Sequence, residues 1–190
     1  MNPRFEAAWE IHQFLNKHSI TYAVIGGIAV QKWGDQRFTR DVDLSVATPL
    51  VEGSAPIIRL ITGHFPSRSA DPFTFARQTR MILVTASNGV EVDISLALPG
   101  YEDEMFARTI EYELEAGKSI HLCSPEDLII HKAVAGRPQD IFDIQGIIYR
   151  QGEKLDLGYI RGWLAQFAEV LENSEVQSCF EDAWQRYLTP

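Results

Sequence analysis

Cysteine is scarce: the 190 residues hold two, Cys123 and Cys179, too few and too far apart for a C-x-x-C redox pair or a zinc ligand set. Both read as reduced and structural. No apolar run reaches the roughly 18 residues that a membrane-spanning helix needs. The opening MNPRFEAAWE lacks the charged-then-apolar layout of a signal peptide, so a cytoplasmic protein without a membrane partner is expected. Positive charge is also short, with 17 Lys and Arg against 26 Asp and Glu and a formal net charge of −9. That balance argues against indiscriminate binding to nucleic acid or acidic membranes. Internal repeats, low-complexity stretches and clear linkers are missing as well. What remains is a chain 45% hydrophobic, long enough for a well-buried core.

The charge is lopsided. Residues 1–80 carry nine Lys and Arg against seven acids, and residues 81–190 carry eight against nineteen. Arg37, Arg40, Arg59, Arg68, Arg77 and Arg80 could stand around an anionic substrate or could be scattered solvated side chains. Within the more basic part lies the stretch that organises the chain, TYAVIGGIAVQKWGDQRFTRDVDLSVA from Thr21 to Ala47. An apolar strand (Ala23, Val24, Ile25) meets Gly26-Gly27, and a short amphipathic segment follows to Trp33. Gly34 suits a helix stop, and Asp35 to Arg40 reads as a loop feeding a second strand.

That second strand alternates. Asp41, Asp43 and Ser45 point one way while Val42, Leu44 and Val46 point into a core. The two carboxylates then share a face, with Cα atoms roughly 6.6 Å apart from the strand rise. Such a pair repels, so nearby positive charge is expected. A divalent metal is the usual supplier, and a metal pair suits in-line phosphoryl chemistry. Gly26-Gly27, at a strand-to-helix turn, would let a phosphate approach the backbone N–H groups of the helix start; the plainer reading is a tight turn.

Elsewhere the pattern gives elements in order. Asn2 caps an opening helix in which Phe5, Ala8, Trp9, His12 and Leu15 form a buried stripe. Thr48-Pro49 ends the Asp-Val-Asp strand, and Val51 to Thr62 reads as a helix stopped by Gly63. His64 to Arg80 reads as loop. Met81 to Leu98 is a hairpin about Asn88-Gly89, and Asp93 on its second strand is the candidate third carboxylate, with Glu91 on the same face as its rival. Gly100 to Arg108 forms a short acidic helix, and Ile110 to Cys123 a second hairpin. Ser124-Pro125 starts a helix that ends at Gly136-Arg137-Pro138, and Asp140 to Asp143 opens the next. Two amphipathic helices follow between Leu155 and Leu188.

Gly26-Gly27, thirteen intervening residues, Asp41-Val42-Asp43-Leu44 and a later strand with a third acid resemble the nucleotidyltransferases of the DNA polymerase β type. The Arg37-x-Thr39-Arg40-Asp41 lead-in and the Lys132 to Asp143 stretch are similar to the minimal bacterial enzymes of the AbiEii toxin kind. The resemblance covers roughly residues 20 to 150. It implies an α/β (α+β) fold, a small, mostly antiparallel mixed sheet flanked by helices. With the helical pattern that follows, residues 1–123 are expected to form the catalytic domain and 124–190 a helical C-terminal part packed on it. The resemblance also implies an NTP substrate and two Mg²⁺ ions, or Mn²⁺, held by Asp41, Asp43 and Asp93. Gly26, Gly27, Arg37, Arg40 and Lys132 would meet the nucleotide, with Arg137, Asp140 and Asp143 as a second motif. The acceptor would be RNA, foremost tRNA, with a cognate antitoxin as partner. Other acceptors are a protein or a small drug-like hydroxyl compound. The rival from another class is a silent nucleotide- or partner-binding module of the same fold.

Overall fold

The computed structural model describes residues 2–48 and 53–189. By contacts the chain divides into two compact units, Met1–Ile28 with Phe38–Cys123, and Ala29–Arg37 with Ser124–Pro190. The first holds a six-stranded sheet built from β1 (Tyr22–Val24), β2 (Asp41–Val46), β3 (Met81–Thr85), β4 (Glu91–Leu96), β5 (Ile110–Glu115) and β6 (Lys118–Leu122). The strand order is β3-β4-β2-β1-β6-β5. Three pairings are antiparallel (β1 with β2, β3 with β4, β5 with β6), and β2 with β4 and β1 with β6 are parallel. The mixed, mostly antiparallel sheet expected from the sequence is present.

The register places the acids. β2 and β4 run side by side with Asp43 opposite Asp93, Asp41 opposite Glu91, and Ser45 opposite Ser95. Their alternate residues, Val42, Leu44 and Val46 with Val92, Ile94 and Leu96, are buried together, because in-register parallel neighbours share a face. Burying that apolar row fixes the register, since a one-residue slip would carry the acids inside. Ser45 departs from the expected open face. It is fully buried, its Oγ donating to Glu102 Oε1 at 2.7 Å on α5 (Tyr101–Ala107), so on β2 the exposed part of this face is the Asp41–Asp43 end.

The first unit's helices follow local signals. α1 (Pro3–Lys17) is capped by the Asn2 side chain, which accepts from Arg4 N–H. Its buried stripe is Ala7, Ala8, Ile11, Phe14 and Leu15. Of the expected stripe only Ala8 and Leu15 belong to it; Phe5, Trp9 and His12 sit half-buried along its rim. α3 (Ala55–Thr62) ends at Gly63 as expected, whereas the predicted start at Val51 and strand end at Pro49 lie outside the described residues. The predicted loop 64–80 contains a helix, α4 (Pro72–Thr79). Asp71 caps it, its carboxylate accepting from Phe73 and Thr74 N–H at 3.1 Å, with Pro72 in the first turn.

α2 (Gly26–Trp33) begins in the first unit, and its residues from Ala29 on are grouped with the second. The second unit consists mainly of α6 (Pro125–Ala135), α7 (Pro138–Gln151), α8 (Leu157–Val170) and α9 (Glu175–Leu188). α6 carries the expected cap: Ser124 Oγ accepts from Asp127 N–H at 3.1 Å and donates to Asp127 Oδ2 at 2.6 Å. Gly136 ends the helix in the left-handed conformation, φ 61°, which glycine adopts without strain. Ile144, Ile147, Ile148, Ile160, Leu164, Val176, Phe180 and Trp184 are buried where the helices pack.

Candidate active site

Strand register and a tight turn bring three acids together in the first unit. One carboxylate oxygen each from Asp41, Asp43 and Asp93 can be chosen so that all lie within 4.8 Å of one another. Of the two rivals on β4, Asp93 joins this cluster, while the Glu91 side chain is 61% exposed at the edge. Packing three acids this closely without compensation is costly, and each remains half-exposed where a cation could reach it.

The Gly26-Gly27 turn is shaped around these acids. Gly26 has φ +60°, and a Cβ there would fall 2.0 Å from Asp43 Oδ2. A Cβ on Gly27 would fall 2.3 Å from Thr39 Oγ1. The space left by the missing side chains is therefore filled by Asp43 and Thr39. Gly27 N–H, at the start of α2, points to Asp43 Oδ2 at 3.4 Å, and Thr39 Oγ1 donates to Asp41 Oδ1 at 3.0 Å. Thr39 is 5% exposed and orients Asp41. The motif spacing alone gives Thr39 no role; a hydroxyl two residues before an acid at a strand start is the local signal that marks it.

Arg68 is the second residue whose part only the structure defines. Its Nη2 donates to Asp93 Oδ1, its Nη1 donates to Glu91 Oε2 at 3.1 Å, and its Nε donates to the Val84 carbonyl at 3.2 Å. Burial, with Asp41 and Glu91 nearby, pushes the Asp93 carboxyl above its ordinary range, and Arg68 works against that rise. Arg80, another of the candidate arginines, is turned to the Leu96 and Ala97 carbonyls and serves the backbone. Arg40 is exposed next to Asp41 in sequence.

The remaining sequence candidates meet in the second unit. Lys132 Nζ lies 2.7 Å from Asp140 Oδ1 and 2.8 Å from Asp143 Oδ2, with its side chain 7% exposed. Arg37 grips Asp143 from the other side, Nε to Oδ1 at 2.8 Å and Nη2 to Oδ2 at 2.9 Å. Arg137 donates through its backbone N–H and its Nε to Asp140 Oδ2, at 3.2 and 2.6 Å. Burial works to raise both acids. Hydrogen bonds from Arg137 and Lys132 hold Asp140 below its usual range, and those from Arg37 and Lys132 do the same for Asp143. A fork of this kind is what guanidinium geometry favours.

The three carboxylates fit hard divalent cations by their chemistry, since they are oxygen donors that leave positions for water and phosphate. Comparison with known proteins bears on the family and the fold. The family described as "Nucleotidyl transferase of unknown function (DUF2204)" matches residues 4–177. Among solved structures, an antigenic nucleotidyltransferase-like protein from Paracoccidioides brasiliensis is similar, with a TM-score of 0.55 and 19% identity, over 95% of this chain and 93% of its own. The lincosamide antibiotic adenylyltransferase LnuA, solved with lincomycin bound, is similar with a TM-score of 0.50 and 14% identity, over 75% of this chain and 94% of its own. No curated protein matches by sequence. At these identities the structural likeness is one of fold.

Proposed function

The chain belongs to this nucleotidyl transferase family, and on that premise we propose that it moves a nucleoside monophosphate from an NTP to an acceptor hydroxyl with the aid of magnesium. The observation that carries the reading is the convergence of Asp41, Asp43 and Asp93 within 4.8 Å. These three would hold two Mg²⁺ ions, with Mn²⁺ able to substitute because both prefer carboxylate oxygen. Bound there, the ions would neutralise charge developing on the phosphate and favour ionisation of the acceptor hydroxyl.

The residues of the chain supply the rest. Asp93 takes the acceptor's proton as the acceptor oxygen forms its bond to the α-phosphorus and the bond to pyrophosphate breaks. Thr39 keeps Asp41 in one orientation, and the glycines let Asp43 stand against the turn. The Gly26-Gly27 turn is assigned to the triphosphate, the Gly27 N–H exchanging its long 3.4 Å contact with Asp43 Oδ2 for a phosphate oxygen, as is the exposed guanidinium of Arg40. In the second unit three cations, Arg37, Lys132 and Arg137, stand against Asp140 and Asp143; we assign their charge to nucleotide phosphate and the two acids to holding them in place. Residues 1–123 form the catalytic domain in this reading, and 124–190 its helical C-terminal part.

For the acceptor, the AbiEii-like lead-in and second motif favour RNA, foremost tRNA, with a cognate antitoxin as partner and the NTP-rich cytoplasm as the setting. The second reading is a small hydroxyl compound. It is favoured by the net charge of −9, because phosphate contacts to RNA require Lys and Arg, and the fold is shared with a lincosamide adenylyltransferase. Incubating the protein with each α-labelled NTP, Mg²⁺ and total RNA, cell extract or hydroxylated small molecules separates these. Label on RNA, falling steeply with salt, supports the first reading. Salt-indifferent label on a small molecule supports the second, and label on protein moves the acceptor there. Absence of label from every fraction contradicts transfer and leaves a silent binding module.

A further inference from the structure

The Arg68 guanidinium is bound to Asp93 Oδ1, a carboxylate oxygen of one member of the acidic cluster. The segment that carries it is attached to the sheet: Arg68 N–H donates to the Leu83 carbonyl at 2.9 Å, Thr85 N–H donates to the Pro66 carbonyl at 3.0 Å, and Ser67 bridges Val84. Residues 66–68 thus run along the free edge of β3. From there the side chain crosses β3 and reaches β4, where Asp93 and Glu91 lie opposite Leu83 and Thr85. The Arg68 side chain is 23% exposed, so its position is set by these contacts rather than by solvent.

The guanidinium has more than one holder. Nε is held by the Val84 carbonyl and Nη1 by Glu91, and neither contact depends on Asp93. Releasing Asp93 costs one charge-assisted contact while the other two remain, and Glu91 keeps a counter-charge beside it. Glu91, left outside the carboxylate cluster, thereby gains a role as the alternative anchor.

Resting on the assignment of Asp41, Asp43 and Asp93 as metal ligands, we propose that Arg68 is a displaceable counter-ion that competes with the metal for Asp93. While Arg68 holds Asp93, a cation entering the converged cluster must compete with the guanidinium for that carboxylate. When substrate brings its own anionic oxygens, the metal takes Asp93, and Arg68 stays on Glu91 and Val84 with Nη2 free for a substrate anion. Arg68 is therefore a positioning residue that couples completion of the metal site to arrival of the nucleotide.

The test is Mn²⁺ binding without nucleotide, read by the loss of the free-ion electron paramagnetic resonance signal, with folding checked by circular dichroism. Arg68→Gln should bind Mn²⁺ about tenfold more tightly than wild type, the scale of one charged hydrogen bond removed from competition. Arg68→Lys, which keeps the charge, should bind it nearly as wild type does. In an Asp93→Asn background the gain from Arg68→Gln should vanish. Unchanged or weaker binding by folded Arg68→Gln, or an equal gain with Asp93→Asn, overturns the proposal. If wild-type binding falls in Asp41→Asn while Arg68→Gln has no effect, the counter-ion idea alone fails. If wild type and all variants bind no Mn²⁺, the ligand assignment fails with it.

Discussion

At Gly26 the positive φ and the carboxylate against its α-carbon make one requirement out of two. Gly26→Ala would strain the backbone by about 1–2 kcal/mol and push Asp43 away, since the new Cβ would fall 2.0 Å from Oδ2. A displaced catalytic group costs on the order of 100-fold in rate. The expectation is a folded protein with that loss, measured as initial rate beside a circular-dichroism melt; near-normal activity would contradict the close approach. Lys132 carries a different load, being buried between two acids. Lys132→Met should destabilise the fold by about 3–5 kcal/mol, because Asp140 and Asp143 lose a shared cation. Chemical denaturation measures this, and a loss under about 1 kcal/mol would show that solvent already compensates the pair. Both acids have depressed folded-state values, so the stability they contribute is complete above their unfolded value of about 4 and is lost as pH falls through the folded one. The acid limb of a melting-temperature profile should flatten in Asp140→Asn.

Elements built on local signals were legible in the sequence. The Asn88-Gly89 hairpin, the stops at Gly34, Gly63 and Gly136, and the Ser124 cap appear where the chain spelled them. Ser124→Ala should accordingly cost about 1 kcal/mol in stability, visible as a lower melting temperature. Less legible were features set by tertiary contact. The sequence put Asp93 and Glu91 on one face, but only the parallel register of β4 on β2 sets Asp93 opposite Asp43. α4 was hidden because Asp71-Pro72 reads equally as turn or cap, and Ser45 because its partner Glu102 lies 57 residues away. His12, expected only as part of the opening helix's stripe, joins α1 to β1, its Nδ1 2.6 Å from the Tyr22 hydroxyl. Burial, then the neighbouring His121, lowers its pKa, so the neutral ring stabilises the fold above about pH 6.5 and that contribution is lost as pH falls through the lower folded value. Thermal melts from pH 8 to 5 should show a steeper decline for wild type than for His12→Gln.

For the whole molecule, composition bounded what the acids then specified. The scarcity of cysteine, the lack of a long apolar run and the acidic total shaped expectations without naming a reaction. Among the described residues no helix is long and apolar enough to cross a membrane. The fold and the acid cluster became readable together because β-strand alternation ties the buried valines and leucines to the half-exposed aspartates. The acceptor was not readable, since recognition depends on surfaces rather than on period or spacing. The central claim is that three carboxylates perform nucleotidyl transfer, and pyrophosphate release tests it most directly. Purified protein is given each NTP, Mg²⁺ and cell extract, beside Asp43→Asn, which keeps the side chain's shape and removes its charge. The account predicts Mg²⁺-dependent pyrophosphate release by wild type and none above background by the folded variant; equal release by the two would contradict it.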